Sequence, residues 1–455
     1  MAASNKAVKS GQQTVPLRRR YFARRAVRPW ERPGIMRKHI YTGAMGSMYF
    51  TLMVGFFFAY LAGQMGMAKE HFALMGGVSS LLLSFQLLSA LITQKGRRRK
   101  RIWFWYALFH RSVRIIGICT AFILWCYGLR GPAFVIMGTT WISTGLSAMA
   151  MPPWMSWLGD IIPEEEHGAF WGRRDQWIAL STLVALLAAA TVMDAVSPDR
   201  KPLAAFFILL TGGVIGLLDI VIHGTIPEPH IGKVRHGHFL DQILEPLRDR
   251  RFRPWLVMNA AWTFSVMLGG VVWSIFVVGD LGIEHNFKGG VLVTTGITSL
   301  FVMLAAGRIG KLVDRWGPQR VLYWGYLLWA FIPVLTVLAS KETALIYLAL
   351  ISILSGVGVR GVMNASTKLI VRFPPRGHRA MYVAVSSCVG SFAGGLGGLT
   401  AWGVLWLLSD EWRYTLWGKT LTAAHVVFLG SVVLRMSCAL FLTRRINNPA
   451  GHKSS

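Results

Sequence analysis

Blocks of about 20 predominantly apolar residues, separated by short polar segments, recur along the whole chain. A helix of that length crosses the roughly 30 Å hydrocarbon layer of a bilayer. Because backbone amides in lipid must be satisfied within the segment itself, such blocks should be helices. Barrel strands would alternate in pieces of about ten residues, and no such pattern is present. Only 15% of residues are charged, against about 25% in soluble domains. The sequence therefore predicts an all-α polytopic membrane protein.

Twelve spans are predicted, and they divide into two groups of six around the longest internal polar stretch. We expect a basic arm at 1–42, a six-helix bundle at 43–223, a linker at 224–253, a second bundle at 254–443 and a tail at 444–455. The predicted spans are 43–63, 72–94, 102–127, 131–155, 176–195, 203–223, 254–279, 287–308, 320–339, 342–368, 380–408 and 420–443.

The placement of Lys and Arg predicts the orientation. Of the 48 basic residues, 36 fall in the two ends and every second loop, 8 fall in the intervening loops, and 4 lie inside spans. Basic loops stay in the cytoplasm, so both termini should be cytoplasmic. The net charge of +28 therefore indicates membrane topology, and nucleic acid is not an expected partner. The arm resembles a transit peptide in composition and a twin-arginine signal at Arg19-Arg20, but anionic lipid headgroups are its favoured partner.

The loop between spans 8 and 9 carries the most specific motif. It begins at Gly307, contains Asp314-Arg315 and Gly317, and ends at Arg320. This resembles the loop signature of the major facilitator superfamily. Glycine allows close helix approach, and the aspartate can pair with arginine near a helix amino terminus, so such a loop can hold one gate closed. The resemblance implies a twelve-helix transporter fold whose two halves rock around a central pathway.

The corresponding loop of the first half departs from the motif. Residues Gln94 to Arg101 keep a Gly-Arg-Arg ending but lack the Asp-Arg core. Span 5 also lacks the glycines and proline expected in antiporters of the family. These departures keep open an alternative, a non-transporting assembly or partner-binding protein on the same fold. A membrane-embedded enzyme is disfavoured because no P-loop, zinc-protease motif or nucleophile elbow is found.

The resemblance places spans 1, 4, 7 and 10 around the central cavity. Residues at helical spacing then predict a substrate site with mostly aromatic walls and few polar anchors. The candidate substrate-binding residues are Arg360, Asn364, Asn259, Trp262, Trp273, Trp141, Thr144 and Tyr60.

Arg360 has two interpretations, a clamp for a carboxylate or phosphate and a side chain that snorkels to the interface. Arg111, Arg114 and Arg435 are interpreted as structural, by snorkelling or by pairing. Asp219, the acidic residue most clearly within a span, is expected to pair with a basic loop at a helix end. No carboxylate occupies a mid-membrane cavity position, which disfavours proton symport through a carboxylate.

Together these observations predict a secondary transporter of a small organic solute, with a lean to an anionic or amphipathic one. We expect a monomer in the inner membrane of a bacterium, with no enzyme activity, cofactor or metal. Substrate identity, direction of transport and coupling ion stay open.

Overall fold

The computed structural model describes residues 27–94, 98–162, 166–229, 239–372, 379–409, 411–416 and 419–446. In this part of the chain, twelve helices are long and apolar enough to cross a membrane, which confirms the predicted number. They are α1 Pro29–Gln64, α2 Lys69–Ser89, α3 Arg99–Cys126, α4 Pro132–Leu158, α5 Phe170–Ala195, α6 Pro198–His223, α7 Arg253–Asp280, α8 Phe287–Ala305, α9 Pro318–Leu338, α10 Ala344–Met363, α11 Met381–Leu408 and α12 Ala423–Arg445.

Twelve alternating spans define two faces of the molecule. The terminal face carries the start of α1 and the end of α12, and the distal face lies at the other end of the helices. On the terminal side, helical structure continues beyond two spans, to Trp316 after α8 and to Arg372 after α10. Gly317 ends the first extension with φ +81°, a conformation that glycine adopts without steric cost.

The helices pair extensively within two groups, the N-half (α1–α6) and the C-half (α7–α12). In the N-half the closest pairs are α3 with α4 and α1 with α5 and α6. In the C-half they are α7 with α11, and α10 with α8 and α9. Across the halves, α2 packs along α11 and α5 meets the start of α8.

The buried apolar residues form one shared cluster and three local ones. The shared cluster includes Phe57 and Leu61 of the N-half and Phe276 and Phe287 of the C-half, all near the distal face. Toward the terminal face the C-half has its own cluster, and the N-half has two of its own. Among the described residues, the apolar cluster that the two halves share therefore lies toward the distal side.

The amino-terminal arm is shorter than predicted. A helical turn begins at Pro29 and the α1 helix at Arg32, where the hydropathy pattern placed its start near residue 43. The first turns of this helix bury Ile35, His39 and Ile40 against the N-half, so they fold despite their polar neighbours.

The connections contain two further elements. A linker helix at Phe239–Arg248 precedes α7. An antiparallel hairpin of β1 Arg413–Leu416 and β2 Lys419–Thr422 joins α11 to α12 at the distal face. The apolar periodicity gave no indication of this hairpin.

Candidate functional site

Charged contacts between the two halves gather at the distal face. Lys69 before α2 forms an ion pair with Asp280 at the end of α7, with 3.0 Å between Nζ and Oδ1. The Asp194 carboxylate at the end of α5 accepts the backbone N–H groups of Phe287 and Lys288, at 2.9 and 2.8 Å. These two amides begin α8, so the carboxylate also lies at the positive end of a helix dipole.

Aromatic packing strengthens the same region. The Phe287 ring lies 5.5 Å from Phe57 and 5.6 Å from Tyr60, both on α1. The Lys201 ammonium group donates to the Glu284 carbonyl at 2.7 Å. The start of α8 is thus held by α1, α5 and α6 at once.

The α2–α11 crossing brings the two halves into backbone contact. A Cβ added at Gly398 would lie 2.6 Å from the Cα of Gly77, which leaves no room for any side chain there. Nearer the middle of the membrane, the Ser80 hydroxyl donates to the Ser391 carbonyl at 2.9 Å. This is the hydrogen bond nearest the terminal face among those that join the halves within the described residues.

At the terminal face, side chains tie each half to itself. The Arg99 guanidinium contacts Asp160 at 2.7 Å and Glu228 at 3.7 Å, and it also donates to Ser156 at the end of α4. In the C-half, the Tyr382 hydroxyl donates to Asp249 at 3.0 Å. Among the described residues, the charged contacts between the halves therefore lie at the distal face, and the apolar clusters toward the terminal face each belong to one half.

The predicted site residues that the structure describes lie in several separate places. Tyr60 is buried at the distal contact, and the indole of Trp141 donates to the Met75 carbonyl of α2 at 3.2 Å. The Thr144 hydroxyl donates to the carbonyl one turn earlier in α4. In the part of the chain with described side chains, no hydrogen bond or ring contact joins two members of the predicted set.

The three predicted residues of α7 also separate. Asn259 donates to the Ser386 carbonyl of α11 at 2.9 Å, which ties two helices of the C-half. Trp262 is buried and stacks on Tyr326 with ring centroids 3.8 Å apart. Trp273 is half-buried and lines a cavity inside the C-half.

Part of the predicted set lies outside the described side chains, namely Arg360, Asn364, Gly307 and Asp314. The helix axis is described at all four positions. Of the other loop-motif residues, Gly317 ends the α8 extension, and Arg315 and Arg320 have exposed side chains at the terminal face.

Two of the intramembrane arginines lie in a buried network of the N-half. Arg111 pairs with Asp219 of α6 at 2.7 Å and lies over the Tyr49 ring at 4.5 Å. Arg114 donates to Thr140 and to the Met53 carbonyl. The pairing predicted for Arg111 is confirmed. The partner predicted for Asp219, a basic loop, is wrong, because its carboxylate is turned inward to α3.

Arg435 corrects another expectation. It lies midway along α12 and is 6% exposed, so it does not snorkel to the interface. Its guanidinium donates to the carbonyls of Trp329 and Val266, both at 3.3 Å. No ion pair links it to a carboxylate among the described residues.

Sequence reasoning missed the residues of the distal contact. Asp194 and Asp280 lie near the outer ends of their spans in the sequence, but the sequence analysis did not predict their contacts with the start of α8 and with Lys69. Few acidic residues lie at the distal ends of the spans. That scarcity was the sequence feature that could have pointed to Asp194 and Asp280 as contact residues. No group of three or more His, Cys, Asp or Glu that could hold a metal ion is found among the described residues.

The family model of the Major Facilitator Superfamily matches residues 104–398, more than half of the chain. The chain belongs to the major facilitator superfamily. It is therefore a secondary transport protein by family and a multi-pass membrane protein by its twelve spans. A comparison with curated protein sequences gives no significant match.

Solved superfamily structures share the fold at low identity. A point mutant of the nucleoside transporter NupG has a TM-score of 0.68 at 11% identity, over 90% of this chain and 99% of that one. The xylose transporter XylE from E. coli, partially occluded and inward open, has 0.62 at 14%, over 91% and 98%.

A bacterial homolog of the human lysosomal transporter Spinster, inward-facing and unoccupied, has a TM-score of 0.60 at 11% identity, over 92% of this chain and 97% of that one. Identities this low show a common fold. The solute of this chain has to be inferred from its own residues.

Proposed function

We propose that this superfamily member carries a small organic solute by alternating access, with both termini in the cytoplasm of a bacterium and the chain in its inner membrane. One observation carries the proposal: the halves share a core at the distal face and have separate cores at the terminal face. On this orientation, we infer that the described conformation opens toward the cytoplasm. Rocking about the α2–α11 and α5–α8 contacts would break the distal contacts and close the terminal side.

Three kinds of contact supply the distal gate. The Lys69–Asp280 pair, the Asp194 cap on α8 and the Phe287 aromatic contact would all have to separate in the outward-facing state. The first and second are solvated on opening, which offsets much of the cost of breaking them. A gate built of several weak contacts can open without one large barrier.

The motif segment between spans α8 and α9 is our candidate for the opposing gate. Asp314 and Arg315, on the helical extension of α8 that ends at Trp316, would hold the terminal side closed in the outward-facing state. The N-half counterpart is built differently, because Arg99 is already engaged by Asp160, Ser156 and Glu228 within its own half. The two gates at the terminal face would therefore contribute unequally.

For the solute we propose an anionic or amphipathic small molecule. Arg360 and Asn364 of α10 would contact it, with Trp141 and Thr144 of α4 on the opposite wall. The polar anchors along these helices include no acidic residue, so a cationic solute would lack a counter-charge.

The test is a thermal-shift screen of the detergent-purified chain against organic anions, sugars, amino acids and hydrophobic amines. A ligand at 100 times its dissociation constant stabilises the folded state by about 2.7 kcal/mol. The proposal expects organic anions to raise the melting temperature of the wild type and not of Arg360→Ala. Stabilisation by cations alone would overturn the solute class. An unchanged melting temperature with every ligand class, together with no uptake into proteoliposomes, would favour the partner-binding alternative.

A further inference from the structure

A partly open cavity of the C-half has features of a binding site. It has a volume of about 330 Å³ and is bounded by α7, α8, α9, α10 and α12. Ligand pockets usually span roughly 300–1,000 Å³, so this one would fit a small solute. Its walls include Trp273, Trp329 and Phe428 together with Ile332 and Ile351, so most of the lining is apolar.

Among the described residues, Arg435 is the cation that lines this cavity. Arg435 lines it from the middle of α12, and its Nε has no hydrogen-bond partner among the described residues. The two bonds that it does make, to backbone carbonyls, are long at 3.3 Å. A cation at mid-membrane costs at least about 2.5–3.5 kcal/mol on insertion scales, and here no carboxylate of the described chain offsets that cost.

The hydroxyl groups of the lining differ in their availability. Thr294 and Thr336 donate to carbonyls of their own helices, and Thr298 donates weakly to the Ser352 carbonyl. Ser352 and Ser355 lie three residues apart on α10, so they share one helix face toward the cavity. Among the described residues, the available polar groups of the site are therefore one guanidinium and two serine hydroxyls.

The helices around the cavity depart from regular α-helical geometry at that level. A π-helical segment, Leu292–Ile297, carries Thr294, and another begins at Cys438, one turn after Arg435. The α7 helix is interrupted at Val271–Val272, immediately before Trp273. Such irregular segments recur at functional sites, and in transporters broken helices line substrate sites.

We infer that this cavity binds a small organic carboxylate, with Arg435 as its counter-charge and Ser352 and Ser355 as hydroxyl donors. One guanidinium matches one negative charge, and its planar donors suit a carboxylate. The tryptophan and isoleucine walls suit an apolar body. The inference assigns Arg435 to the anionic solute in addition to Arg360, and in that one respect it rests on the proposed transport function.

The first test measures binding to the full-length chain in detergent by calorimetry. Benzoate and phenylacetate are the probes, and benzamide is the neutral analogue of the same shape. We expect benzoate to bind at least tenfold more tightly than benzamide. We also expect Arg435→Gln to weaken benzoate at least tenfold while Arg435→Lys retains part of the affinity. Arg444→Gln, which removes the same charge from an exposed position on the same helix, should bind benzoate like the wild type.

Several outcomes would overturn the inference. Equal affinity for benzoate and benzamide in the wild type does so without any variant, so a poorly folded Arg435→Gln protein cannot obscure the result. Equal benzoate affinity in the wild type and Arg435→Gln removes the residue from the site. If inorganic phosphate competed as effectively as benzoate, the apolar part of the ligand would not contribute to binding, which contradicts the inference.

A second test separates this site from the transport function. Proteoliposomes are loaded with benzoate, and counterflow of labelled benzoate is measured. Counterflow in the wild type that Arg435→Gln abolishes supports both proposals. Binding through Arg435 without counterflow supports the site and contradicts transport of this solute. Counterflow that is unchanged in Arg435→Gln supports transport and overturns the site.

Discussion

The Asp194 cap on α8 yields a prediction whose size follows from the geometry. Its carboxylate accepts two backbone N–H groups across the distal contact, at 2.9 and 2.8 Å, and the side chain is exposed. Loss of a helix cap costs about 0.5–2 kcal/mol, and solvent exposure favours the middle of that range. We therefore expect Asp194→Ala to weaken the distal contact by about 1–1.5 kcal/mol. At 1.4 kcal/mol per tenfold change, the ratio of open to closed distal faces should rise by about 5- to 12-fold.

Electron spin resonance between two nitroxides measures this ratio. One label replaces Arg130 between α3 and α4, and the other replaces Lys341 between α9 and α10, both exposed at the distal face. The chain has four cysteines, which are first replaced by serine. The population with the longer label separation should grow in Asp194→Ala. Asp194→Asn keeps one acceptor oxygen and should show a smaller change.

Asp199→Asn is the matched control, because Asp199 is an exposed acid of the same face and contacts Arg200 of its own half. It should leave the distance distribution unchanged. A distribution that does not change in Asp194→Ala would refute the role of this cap. If Asp199→Asn changed the distance distribution as much as Asp194→Ala, the effect would come from the total charge of the distal face and not from this cap.

Three further predictions concern the other contacts. Lys69→Ala should raise the ratio of open to closed distal faces about two- to fivefold, since part-exposed ion pairs contribute about 0.5–1 kcal/mol. Exchanging Lys69 and Asp280 should restore closure, and a failure to restore it would contradict a pairwise contact. Arg111→Gln leaves Asp219 buried without its counter-charge and should cost about 3–5 kcal/mol, seen as a lower melting temperature; an unchanged one would contradict the buried pair. Gly398→Leu inserts side-chain atoms against the facing α2 backbone, so the distal labels should move apart, and wild-type label distances would refute the crossing.

Sequence information sufficed for the spans because bilayer thickness dictates their length. Eleven of the predicted span starts lie within a few residues of the observed helices, and the twelve-helix fold is confirmed. The start of α1 was misplaced because Arg and Lys near Ile35 and His39 lower the local hydropathy. Burial of those turns against the N-half depends on tertiary packing, which hydropathy does not register.

The orientation of individual side chains could not be predicted in the same way. A membrane helix is apolar around most of its circumference, so its pattern does not say which face meets protein. For Arg435 the sequence left snorkelling and pairing open, and its side chain is buried inside the C-half. Trp262 was placed on a cavity stripe by the family resemblance and helical spacing, and its ring stacks on Tyr326. The candidate substrate site stays a prediction for the same reason.

The most direct test of alternating access is a reversible lock on the distal gate. Lys69→Cys with Asp280→Cys, in a chain without native cysteines, places one thiol on each half at the two ends of the ion pair. Because cysteine is shorter than lysine, a short bis-thiol reagent that contains a cleavable disulfide joins them. Uptake of a solute identified by the thermal-shift screen is then measured in proteoliposomes before and after crosslinking. We predict that the crosslink stops uptake and that a reductant restores it. Uptake that continues at the unlocked rate with the crosslink formed would contradict a pathway that must open at the distal face.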